Sequence, residues 1–185
     1  MRTLSSQFPF LNPEFPRADR IKDRLQVVIF GAYKPPASMV RLVNFRNHLR
    51  TMGYTCSSIV EDFDIPKQED GQPLSEYFLF KCQFWLENAD VVLFVFFKEG
   101  RQEGVATEFT HLINYLKGRM WRAVVFTENT DLSTMIRGRL TLFNSEIKQT
   151  DFDGDADLYE KATGLLIDYP KKLFFDIRER PPCKN

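Results

Sequence analysis

Two periods of hydrophobic residues share this chain. Short continuous apolar runs are separated by longer stretches in which apolar residues recur every three to four positions. Leu25–Phe30 (LQVVIF) is the first run, closed by Gly31. It reads as a strand buried on both faces of a parallel sheet. Gly31 to Pro36 reads as a loop. Ser38 is the predicted N-cap of a helix through Thr51, with Met39, Leu42, Val43, Leu49 and Met52 as its stripe and Gly53 as its stop. A second strand is predicted over Tyr54–Val60, a polar loop over Glu61–Pro73 and a second helix over Leu74–Asn88. Val91–Phe97 is the third strand, followed by a charged loop, Lys98 to Gly104, and a third helix. A fourth strand covers Arg122–Phe126 and a short helix Ser133–Leu140. Ser145–Phe152 is a polar fifth strand, and a last helix starts at Asp155 or Asp157 and reaches about Ile167.

Strands alternating with helices of this length imply right-handed crossovers and a parallel sheet with helices on both faces. The expected fold is a three-layer α/β domain, flavodoxin-like or Rossmann-like, with a five-stranded, mainly parallel sheet in the order 2-1-3-4-5. Ligands of such sheets bind at the carboxyl ends of the strands, near the switch in strand order. Three loops would build that site: Gly31–Ser38, Glu61–Pro73 and Lys98–Thr107. Residues 25–185 are read as one domain. Residues 1–24 form an arm in which Pro9, Pro13 and Pro16 stand among Phe8, Phe10 and Phe15. Prolines there block helix and central strand, so the arm is expected to pack on the body or on a second copy of the chain. A short helix over Arg17–Arg24 is compatible with its end.

Composition narrows the function classes. Lys plus Arg and Asp plus Glu both number 25, so bulk attraction to nucleic acid or to an anionic membrane is not expected. With 18 Phe against 2 Trp, the core volume should be largely aromatic. The three cysteines are far apart, with no CxxC or Cys/His cluster, so neither a disulfide framework nor a zinc site is suggested. Cys56 and Cys82 read as buried small hydrophobes. No apolar run reaches the roughly 18 residues of a membrane span, and the proline-broken N-terminus does not read as a signal peptide. A reduced, cytoplasmic setting is the expectation.

The chemistry concentrates at Ala89–Leu116. Val105, Phe109, Leu112, Ile113 and Leu116 make one apolar stripe, with Glu108 on its flank, at the border between core and cleft. A partly desolvated carboxylate there suits a nucleophile or general base; the ordinary alternative is an early-helix glutamate favoured by the helix dipole. Ala89-Asp90-Val91-Val92-Leu93-Phe94, a short polar loop and Gly104-Val105-Ala106-Thr107-Glu108-Phe109 resemble the nucleoside 2-deoxyribosyltransferase family. The first strand and loop, Ile29–Tyr33, look like the first loop of the same group. The resemblance implies a glutamate, here Glu108, that attacks the anomeric carbon of the sugar. It also implies a nucleoside or nucleotide as partner, and oligomeric assembly. TIR-like nucleotide-binding domains share the layout, and some cleave NAD through a glutamate at the matching place. Two departures stand out: the loop before Gly104 is KEGRQE rather than Asp-rich, and Thr110 and His111 follow where the transferases have a glycine.

Breaking an N-glycosidic bond builds oxocarbenium character on the sugar, which a carboxylate stabilises or traps covalently. A second acid would help the base leave, and Asp62 or Asp64 would fill that role or hold ribose hydroxyls. Gly31 and Ala32 would offer backbone amides, Tyr33 a stacking face, and Lys34, Arg41 and Arg101 phosphate contacts. Gly104 and Thr107 complete the candidate ligand set. Each of these has an ordinary surface-loop alternative. Arg46 falls near the apolar stripe of its helix and either snorkels or pairs with a buried acid. His48 is expected on a solvated face. Neither the Glu108/His111 pair nor the acidic run Asp151–Asp157 has the partners or register of a metal site, so no metal or cofactor is expected.

Overall fold

Val27–Gly31, Val91–Phe96 and Ala123–Glu128 are buried along nearly their whole length, as runs covered on both faces must be. They are β1, β3 and β4 of an all-parallel sheet completed by β2 (Ser57–Ile59) and β5 (Lys148–Phe152), in the order β2-β1-β3-β4-β5. The expected topology is therefore present. The computed structural model describes residues 18–63, 67–100, 105–106, 109–110, 113–116, 118–129, 132–142 and 146–183.

Strand alternation divides the core in two. Val28, Phe30, Val92, Phe94, Phe96 and Val125 point to one face, where they meet α2 (Leu74–Asn88) and α3 (Thr134–Leu142) through Cys82, Leu86, Ile136 and Leu140. Phe109 and Ile113 belong to the same layer, and Phe94 and Phe109 meet edge to face at 5.0 Å. Val27, Ile29, Leu93, Val95 and Phe126 point to the other face. There α1 (Pro36–Thr51) and α4 (Gly154–Leu166) contribute Leu42, Phe45, Leu49, Leu158 and Leu166. Two short turns of helix, α5 (Tyr169–Lys172) and α6 (Phe174–Ile177), extend that layer with Tyr169 and Ile177. Ala18–Arg24 is a 3-10 helix whose Ile21 is buried in this second core, so the end of the predicted arm packs on the body. No described helix is long and apolar enough to cross a membrane.

Several boundaries differ from the sequence reading, each for a local reason. α1 begins at Pro36, with Pro35 as N-cap after a cis Lys34–Pro35 bond, because proline is pre-set for the first helical position. Ser38 is thus inside the first turn rather than capping it, buried, with no hydrogen-bond partner for its hydroxyl among the described residues. β2 starts three residues later than predicted. The Tyr54 amide instead donates to the Leu49 carbonyl at 3.0 Å, closing α1 across Gly53, whose φ of +95° only glycine adopts freely. β2 ends early because the Asp62 carboxylate accepts the Ile59 amide at 2.9 Å and turns the chain into a 3-10 turn, Val60–Asp62. β4 runs two residues further than Phe126, since Thr127 and Glu128 pair with Asp151 and Phe152 of β5. His48 is not on a solvated face: its ring stacks on Tyr159 of α4 at 4.5 Å.

The cysteine reading is corrected outright. Cys56 and Cys183 are disulfide-bonded across 127 residues of chain, with their Cα atoms 5.3 Å apart; Cys82 takes no part in a disulfide and is buried, as expected. A disulfide argues for an oxidising setting. Cysteine usage therefore no longer supports a reduced compartment.

Candidate functional site

Strand succession reverses between β1 and β3, and there the structure leaves no room for side chains. Gly31 and Val95 are register partners at the carboxyl ends of these strands. A Cβ on Gly31 would lie 2.6 Å from the Leu42 side chain and 3.2 Å from the Val95 carbonyl. A Cβ on Gly100 would lie 2.9 Å from that of Ala32 and 3.2 Å from the Phe97 carbonyl. Gly31 is therefore buried against Leu42, and the loops after β1 and β3 are in direct contact at Ala32 and Gly100. Beside it, half-buried Tyr33 meets Phe78 of α2 edge to face at 6.1 Å, and Lys34 is exposed.

Arg41, on the second turn of α1, reaches the same end of the sheet and is already fully engaged. Its guanidinium forms a two-bond fork with Glu128 at 2.8 and 2.5 Å, bonds Asp155 through Nε at 2.7 Å and Glu99 at 3.0 Å. It also stacks on Phe97, 4.1 Å from the ring centroid. A phosphate at Arg41 would have to displace carboxylates, so the arginine organises the loops after β3, β4 and β5. The hydrogen bonds that Arg41 donates to Glu128 hold its charge on more firmly than usual, against the opposing effect of burial. Burial alone would raise the Glu128 carboxyl, but bonds from Arg41 and from the Lys98 amide hold it below the ordinary glutamate value. Three carboxylates thus surround one guanidinium, and the charge of Lys98 also reaches Glu128.

Asp62 has a comparable tie. It pairs with Arg46, lies 3.6 Å from Arg50 and accepts the Ile59 amide. Arg46 therefore does pair with a mostly buried acid, one of its two expected outcomes. Of the acidic run, Asp155 goes to Arg41 and Asp157 to Lys161 and the Asp153 amide. Among the described residues no group of three or more His, Cys, Asp or Glu side chains is placed to hold a metal ion.

The predicted site residues thus divide. Gly31, Ala32, Tyr33 and Arg41 are brought to the β1–β3 corner, Lys34 lies exposed beside them, and Asp62 is clamped at the end of β2. Asp64, Arg101, Gly104, Thr107 and Glu108 lie outside the described residues. Sequence reasoning passed over Glu99 and Glu128; a glutamate closing the apolar run AVVFTE is the signal that would have found the second. It also passed over Lys81, buried on α2, whose ammonium sits 4.0 Å from Glu61. A lone lysine inside YFLFKCQFWL marks it in the sequence. No family model matches the chain, and no curated protein matches its sequence.

Proposed function

We propose that this protein binds a nucleoside or nucleotide at the β1–β3 corner and cleaves or transfers its N-glycosidic bond, with Glu108 as nucleophile. The observation that carries the reading is the corner itself. It lies at the switch point of a 2-1-3-4-5 sheet, the loops after β1 and β3 meet there at Ala32 and Gly100, and its flank carries three carboxylates. Loop amides and carbonyls suit sugar hydroxyls, and flanking carboxylates favour the positive charge that develops as the base departs. The acidic flank also favours an uncharged nucleoside over one presenting phosphate to Arg41. The 89–109 resemblance to nucleoside 2-deoxyribosyltransferases and TIR-like domains supplies the role of Glu108. Under the same reading residues 1–24 join a second copy of the chain.

Asp62 supports a second reading, a non-catalytic TIR-like module that senses a nucleotide or assembles with partners. Both oxygens of the acid nominated to help the base leave are engaged by Arg46 and the Ile59 amide. Incubation with deoxynucleosides and with NAD, followed by chromatography for free base or nicotinamide, separates the two. The enzymatic reading predicts release that Glu108→Gln abolishes. Binding without release would leave the module reading, and release that survives Glu108→Gln would remove Glu108 from the chemistry.

A further inference from the structure

The opposite end of the sheet holds a cavity of about 510 Å³ that the proposed function does not use. It opens where β1 and β3 begin, between the last turn of α2, the turn leading into β4 and the segment after α6. Three arginines line it: Arg119 and Arg122 from the turn, and Arg180 from the carboxyl-terminal segment. Phe84 and Trp85 supply an aromatic wall.

The charges do not cancel. Asp90, with its side chain 3% exposed, is committed: it accepts the Gln26 amide at 3.0 Å and bonds Arg180 at 2.6 Å. Glu87, also lining the cavity, is exposed and bonds Gln83 at 3.0 Å. Arg122 reaches only an exposed carboxylate, Asp176, at 3.6 Å, and its Nε is buried with no hydrogen-bond partner among the described residues. Arg119 has no ion-pair partner among the described residues. The Arg122 guanidinium also lies over the Trp121 ring at 5.2 Å, and the terminal N–H groups of two arginines lining one cavity suit an oxyanion between them. The volume falls within the range of small-molecule sites, far above that of a single ion.

We propose that this cavity binds a phosphate monoester carried on a planar ring, the phosphate between Arg119 and Arg122 and the ring against Phe84 and Trp85. Arg180, held by Asp90, closes the far side. A phosphate fits the fork geometry of two guanidiniums and a ring fits the aromatic wall; an unsubstituted anion would use only half the site.

Titration calorimetry with phenyl phosphate, at chloride-matched ionic strength, tests this on the full chain. Saturable binding is expected, weakened about tenfold or more by Arg119→Gln and by Arg122→Gln. Benzyl alcohol, which keeps the ring and lacks the phosphate, should not bind. Arg101→Gln, which removes a phosphate contact nominated for the glycosidic site, should leave the affinity unchanged, and so should Glu108→Gln, which separates this site from the proposed glycosidic one. Arg122 also supports the fold, so Arg119→Gln, checked by circular dichroism, carries the decision. No saturation at millimolar phenyl phosphate, or binding lost in Arg101→Gln and kept in Arg119→Gln, would overturn the proposal.

Discussion

Glu128 joins three elements through one carboxylate: it closes β4, forks with Arg41 of α1 and accepts the Lys98 amide after β3. Its folded pKa lies below the ordinary value of 4.5. Its contribution to stability is therefore complete above that value and is lost as pH falls through the lower, folded one. Urea unfolding followed across pH should show a plateau from neutral down to about pH 5 and a decline below it. Glu128→Gln should cost about 1–3 kcal/mol at neutral pH, since it leaves a mostly buried arginine short of a partner. The decline in acid should be shallower in that variant. An identical acid slope in both proteins would show that the pairing contributes nothing. The acids around Arg41 were not legible as a set, because Glu99, Glu128 and Asp155 follow three different strands and meet only when the sheet forms. Asp62 and Arg46 were half legible. The helical period placed Arg46 near the core, but not the identity of its acid.

Among elements, the strands that hydrophobic pattern marks most strongly are also the best determined. β1, β3 and β4 are runs that only a doubly covered parallel sheet can bury, whereas β2 is set by hydrogen bonds at its two ends. The amide that would have begun β2 is taken by the end of α1, and Asp62 takes the one that would have prolonged it. Neither competition leaves a hydrophobic signature. The same holds for the Cys56–Cys183 bond, which no spacing rule reveals across 127 residues. It ties the carboxyl-terminal segment to the start of β2, next to the hydrogen bond from the Cys183 amide to Asp23 at 3.1 Å. Thiol counting in denaturant without reductant should find one reactive cysteine of the three, and all three after reduction. Cys183→Ser should destabilise the protein by about 2–5 kcal/mol, mostly by freeing the unfolded chain. Three reactive thiols before reduction would contradict the pairing.

On the scale of the whole molecule, the two ends of one sheet have opposite character. The carboxyl ends meet at a close-packed corner flanked by three carboxylates, and the amino ends frame an arginine-lined cavity with an aromatic wall. Fold and strand order were legible because they follow from alternation and burial. The arginine cavity was not, since its residues come from four separate places in the chain. The central claim is the role of Glu108. Its most direct test is intact-protein mass spectrometry of the chain quenched in acid during reaction with a 2′-deoxynucleoside. The account predicts a mass gain of one deoxyribosyl group, located by peptide mapping to Glu108 and absent from Glu108→Gln, with free base appearing in step. Free base released with no adduct at Glu108, and at the same rate in Glu108→Gln, would contradict it.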